Sequence, residues 1–87
     1  MRFDREEVKA AIRAKVIELA RALDMEASGI TDEDILPATG LLDSNAILEL
    51  VVWYETTYGL RLKQEEINID NLGSINAMAD FLLSRKR

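Results

Sequence analysis

The chain has 87 residues, with 16 acidic against 11 basic side chains, a formal net charge of −5, and neither cysteine nor histidine. That length allows one domain, residues 1–87, built on one modest core. The missing residues exclude a disulfide framework and a thiolate nucleophile, leave no ordinary ligand set for structural zinc, and remove the commonest general acid–base side chain.

The expectation is therefore a protein that is not an enzyme, with no catalytic residue and no metal site of its own. An acid excess argues against a nucleic-acid partner, because phosphate binding needs a basic face. It fits a protein partner with a basic docking surface. The apolar run Leu50 to Tyr54 is too short to span a bilayer and is bracketed by Glu49 and Glu55. The start, Met1 to Glu7, has no apolar stretch of the kind a signal peptide needs. The expected setting is the cytoplasm, with no membrane partner, and the expected state is a monomer.

Asp4 to Leu23 reads as a helix. Val8, Ile12, Val16, Leu19 and Leu23 recur in steps of three and four and form one apolar face. Asp4 is placed as its N-cap, and Glu7 stands at capping-box spacing. Arg5, Lys9, Arg13 and Arg21 lie mostly off the stripe and are expected to be a solvated face.

From Asp24 to Asp43 the periodicity lapses, with Gly29, Pro37 and Gly40 as punctuation. A connection this long in a small domain is expected to pack or to serve a function. Ile30, Ile35, Leu36, Leu41 and Leu42 are the residues that would pack across the helices. Thr31 to Asp34 could begin a short helical turn. The acids there lack the alternate spacing, central glycine and distal glutamate of a calcium loop.

Ser44 to Tyr58 reads as the second helix, closed by Gly59 at the C′ position. Ile47, Leu50, Val51, Tyr54 and Tyr58 fall on one side and should face the core. Asn45, Glu49 and Thr56 form a narrow polar strip opposite. Leu48 and Val52 border that strip on one side and Trp53 on the other. An apolar rim around an acidic strip points to burial on several sides or to a docking surface.

Leu60-Arg61-Leu62 reads as an extended loop whose leucines anchor to the core. Lys63 to Leu72 reads as one short or irregular helix. Ser74 then caps a last helix with Ile75, Met78, Phe81 and Leu82 at helical spacing. Arg85-Lys86-Arg87 is expected to fray, although cations suit a helix C-terminus. Because the chain starts and stops close to its helices, the expectation is a free-standing domain. The fold class is all-α: a small bundle of three main helices plus one short helix, with a long loop between the first two main helices.

The chemistry of the chain centres on Gly40-Leu41-Leu42-Asp43-Ser44. A serine at a helix start ordinarily caps it, or Asp43 does so and Ser44 is the first helical residue. A triad nucleophile is excluded in practice, because no histidine activates the hydroxyl and no nucleophile-elbow sequence surrounds it. The remaining chemistry is covalent modification. A phosphodiester there would meet free N–H groups and the positive end of the helix dipole.

The chain resembles the acyl carrier and peptidyl (aminoacyl) carrier protein family. The match runs through Gly40 to Ser44, Glu49-Leu50-Val51, and Glu55 through Tyr58-Gly59-Leu60-Arg61-Leu62, and continues in Ser74-Ile75 and Phe81-Leu82. It covers nearly the whole chain. The resemblance implies a 4′-phosphopantetheine arm, derived from coenzyme A, esterified to Ser44 by a phosphopantetheinyl transferase. It implies that Asp43 helps the transferase and its metal ion to recognise the site. The arm would hold an acyl or aminoacyl group as a thioester. Positions one, four and eight after the serine would touch partners, and these are Asn45, Leu48 and Val52; Glu49 and Trp53 join them from the helical wheel. Implied partners are the transferase, an acyl- or aminoacyl-loading ligase, and a downstream acyltransferase or synthase.

Asn45 stands where the family usually has leucine, and Trp53 is a bulky choice on the same helix. These departures, with only Glu49 and Glu55 as acids after Asp43, favour a dedicated carrier with its own loading enzyme, carrying an amino acid or a specialised acyl group, over a general fatty-acid carrier. The alternative from the same residues is an unmodified carrier-like helical module for protein interaction.

Overall fold

A computed structural model describes residues 3–86, and all regular structure among them is helical. In chain order the elements are α1 (Arg5–Ala22), α2 (Leu36–Thr39), α3 (Ser44–Tyr58), a 3-10 turn (Gln64–Glu66), α4 (Ile69–Leu72) and α5 (Ile75–Arg85). The three long helices agree with the sequence reading. The segment expected to hold one short or irregular helix divides into the 3-10 turn and α4.

α1 starts where expected: the Asp4 carboxylate accepts the Glu6 amide at 2.8 Å. Val8, Ile12, Val16 and Leu19 are buried as the stripe requires. Leu23 is not part of that stripe. It lies just past the helix end and is 40% exposed, because Asp24 turns the chain through a left-handed conformation (φ 59°). Aspartate is one of the few residues besides glycine that adopts this region at modest cost.

The long connection does pack. Ile30, Leu36 and Leu42 are buried, Leu41 is half-buried and Ile35 is exposed. Its helical turn is at Leu36–Thr39 rather than at Thr31 to Asp34, where the Asp34 carboxylate accepts the Thr31 amide and closes a non-helical turn. Gly40 ends α2 and Gly59 ends α3, at φ 75° and φ 63°. Both positions need the left-handed conformation that glycine adopts without a side-chain clash.

α1 packs against α3 and α5, and α4 packs against α5. Tyr54 fills the centre of the core, fully buried, and its hydroxyl donates to the Met78 carbonyl of α5 at 2.7 Å. Burial holds the Tyr54 phenol far above the usual tyrosine range, so it stays a neutral donor. Leu60 is buried and Leu62 half-buried, as anchors of an extended loop. Ser74 caps α5 by accepting the Ala77 amide at 3.0 Å, and Ile75, Met78 and Leu82 lie in the core with Phe81 at its edge.

Of the basic residues of α1, Arg21 is exposed as expected, while Arg5, Lys9 and Arg13 depart from expectation. Lys9 and Arg13 both bind Asp32 of the long loop, and Arg5 binds Asp80 of α5. They pin other segments instead of forming a solvated face. The C-terminal cations are engaged in the same way: Arg85 pairs with Glu66, and Lys86 donates to the Gly59 carbonyl at 3.3 Å. Arg87 lies outside the described residues.

Candidate functional site: the loop-to-helix junction at Asp43 and Ser44

At the start of α3 the choice between the two possible caps is settled by geometry. Asp43 is the N-cap, in extended conformation, and its carboxylate accepts the Ala46 amide at 2.8 Å. Its carbonyl accepts the first helical bond, from the Ile47 amide at 2.9 Å. Ser44 is the first helical residue and is exposed. Its hydroxyl is thus not spent on the cap. The amides of Ser44 and Asn45 belong to the first turn and have no helical carbonyl to bond. Among the described residues no hydrogen-bond partner is found for the Ser44 hydroxyl or for the Ser44 and Asn45 amides, so the junction presents a hydroxyl beside first-turn donors at the positive end of a 15-residue helix.

Two clefts flank α3. On the α1 side, Asp43, Asn45 and Glu49 face Leu19, Ala22 and Leu23 across an open cleft of about 210 Å³. On the α4 side, Ile47 and Val51 face Pro37, Ile69 and Leu72 across a cleft of about 170 Å³ whose walls are almost wholly apolar. Between them, on the outer crest of the helix, Leu48 is 62% and Val52 is 52% exposed. Trp53 is half-buried and sets its ring edge-on to Tyr58, with centroids 6.0 Å apart. The residues singled out on the wheel therefore share one helix but divide into three settings: Asn45 and Glu49 toward α1, Leu48 and Val52 outward, and Trp53 partly against the core.

Sequence reasoning missed two features. Ala46 is buried beneath the cap, where a small residue lets the start of α3 approach the core. Asp32 collects Lys9 and Arg13, and these hydrogen bonds, from Lys9 foremost, hold its carboxyl below the usual range while raising the Lys9 ammonium. The four-residue spacing of Lys9 and Arg13 was the available signal, but it does not say which of several loop acids they hold. Among the described residues no group of three or more acids could hold a metal ion, and no helix is long and apolar enough to cross a membrane.

The chain is 36% identical over 70 residues to the D-alanyl carrier protein of Streptococcus sanguinis (strain SK36), a match spanning 79% of this chain and 87% of that protein. Proteins of the same name from Streptococcus thermophilus (strain LMD-9) and Streptococcus gordonii are each 34% identical over 70 residues, with the same coverage. No protein-family model and no solved structure matches the chain. The named relatives are carrier proteins, which are not themselves enzymes. By its identity to these relatives over most of its length, its helical bundle and its Asp43-Ser44 junction, the chain belongs to the family of acyl and aminoacyl carrier proteins.

Proposed function

We propose that Ser44 bears a 4′-phosphopantetheine arm, transferred from coenzyme A by a phosphopantetheinyl transferase, and that the thiol of the arm holds an aminoacyl group as a thioester. The observation that carries this reading is the division of roles at the junction: Asp43 caps α3, and Ser44 keeps an exposed hydroxyl at the first helical position. The residues fit the group, since a phosphodiester on Ser44 lies beside free first-turn N–H groups at a positive helix end. Asp43 is the acidic neighbour that the transferase and its metal ion recognise.

The arm supplies an activated acyl group on a tether. The polypeptide supplies the docking surface, centred on Leu48 and Val52, flanked by Asn45 and Glu49, with the exposed edge of Trp53 at its margin. Tethering raises the effective concentration of the thioester at a docked enzyme. A small, acidic and partly apolar surface gives fast, weak association, which suits a carrier that must leave each enzyme after each step. The relatives' name supports an amino acid as cargo, and D-alanine is the first to test. A ligase loads it, and an acyltransferase or synthase receives it, in the cytoplasm.

Intact mass tests the reading. Co-expression with a phosphopantetheinyl transferase of broad specificity should add one phosphopantetheine to the wild-type chain and nothing to Ser44→Ala. A folded wild-type chain of unchanged mass refutes the proposal and leaves an unmodified interaction module. Holo protein given D-alanine, ATP and an aminoacyl ligase should then gain one alanyl group. Loading and extension by fatty-acid enzymes at the rates they show with their own carrier would refute the specialised role.

A further inference from the structure

We propose that Asp32 is a positioning residue of the carrier: it fastens the long loop to α1 and α5 and so sets the two walls of the apolar cleft beside α3. This rests on the reading of α3 as the face that enzymes acting on Ser44 meet.

The side chain of Asp32 uses both oxygens. Lys9 Nζ stands 2.7 Å from Oδ2, and Arg13 Nη2 stands 2.6 Å from Oδ1. The second Nη of Arg13 donates to the Ile30 carbonyl at 2.6 Å, so the guanidinium grips the loop at two points. Isolated exposed ion pairs contribute little. Here the Lys9 side chain is only 14% exposed, and two cations one helical turn apart converge on one carboxylate.

The backbone of the same residue makes the second connection. The Asp32 carbonyl accepts the Asn76 amide, in the first turn of α5, at 2.9 Å. Four residues on, the Leu36 amide donates to the Gly73 carbonyl at 2.7 Å. Residues 32–36 therefore run beside 73–76 and are tied to them at both ends. Arg5 adds to the brace by donating to the Asn76 side-chain oxygen at 3.1 Å while pairing with Asp80.

These two ties reach the cleft directly. Pro37 follows Leu36, and Leu72 precedes Gly73, and all of Pro37, Leu72 and Gly73 line the apolar cleft. The loop side and the α4 side of that cleft are thus linked through one strap, and Asp32 is the point at which the strap is anchored to α1. Asparagine at this position removes the charge and replaces one of the two oxygens by an NH2 donor, so the cation now held by that oxygen loses its acceptor.

The test is Asp32→Asn in the full chain, read in two ways. Amide hydrogen exchange should quicken by about tenfold or more at Leu36 and Asn76, as expected for local opening, and stay unchanged at Leu50 and Tyr54 in the core. Modification of Ser44 by a phosphopantetheinyl transferase with coenzyme A should show a several-fold higher KM for the carrier with kcat retained. A purely structural role predicts a lower melting temperature with KM unchanged well below it. If Asp32→Asn does not fold, Lys9→Met removes one cation and should give the same two changes, smaller in size. Unchanged exchange at Leu36 and Asn76 overturns the strap, and quickened exchange with an unchanged KM overturns the positioning role. A wild-type chain that takes up no phosphopantetheine fails the carrier reading, whatever the exchange result.

Discussion

The inner and outer sides of α3 carry the same kinds of residue for different ends. On the inner side, Ala46, Leu50, Val51, Tyr54 and Tyr58 are buried. On the outer side, Leu48 and Val52 are more than half exposed. Packing accounts for the first group: each side chain belongs to the core cluster, and the fully buried Tyr54 hydroxyl has its acceptor. Packing among the described residues leaves the second group largely uncovered. Single exposed aliphatics are common on protein surfaces. Two of them stand one turn apart, on the helix that begins with the exposed Ser44 and between two clefts, and they are the centre of the docking surface proposed above. The contrast separates what α3 does for the fold from what it offers outward.

The hardest test of the inner side is Leu50→Ala. Leu50 is 2% exposed and sits at the centre of the packed face. Truncation should cost about 2–5 kcal/mol, and each kcal/mol lowers the melting temperature of a domain this size by about 4–8 °C. Chemical denaturation followed by helical circular dichroism measures it. A well-folded Leu50→Ala chain with an unshifted midpoint would show that the inner side is not what holds α3 in place.

Trp53 lies on the boundary and should behave as an intermediate. Its ring packs edge-on to Tyr58, which also meets Phe3 with ring centroids 5.4 Å apart, so the indole is one member of an aromatic cluster at the end of α3. Because the side chain is half-buried, Trp53→Ala should cost about 1–2 kcal/mol from lost apolar burial and ring contact. Trp53→Phe should recover much of that cost. Loss of loading by Trp53→Ala in step with its loss of stability would assign the residue to the core. Loss of loading in Trp53→Phe, with stability kept, would assign its exposed edge to docking.

The parts of this molecule written in local chemistry are legible in the sequence. The α3 boundaries follow from the Asp43-Ser44 pair and Gly59, the α5 start from Ser74, and the core faces from spacing alone. The candidate site is legible for the same reason, as a hydroxyl at the mouth of an apolar helix. What the sequence leaves open is which of Asp43 and Ser44 is the cap, since either residue type can accept the first-turn amide. The misread residues are those whose partners are distant in the chain. Lys9 and Arg13 look solvated on a helical wheel because the wheel does not contain Asp32, and Arg85 and Lys86 look frayed because it does not contain Glu66 or the Gly59 carbonyl. Leu23 extends the apolar stripe on paper, but α1 stops short of it, and Asp24 turns the chain.

The smallest expected change in stability is the most informative about the outer side. Leu48→Ala and Val52→Ala remove side chains that touch mostly solvent, so folding free energy should move by no more than about 0.5 kcal/mol. For Val52→Ala the sign should be slightly favourable, because alanine is the better helix former at an exposed position. Loading of the arm should nevertheless slow in both variants, and most in the double variant, through weaker docking of the loading enzyme. Unchanged loading in the double variant would make these aliphatics bystanders, and a large loss of stability would mean that α3 packs on its outer side as well. Only stability held together with loading lost assigns Leu48 and Val52 to a partner, because no change in the carrier's own fold is then left to account for the defect.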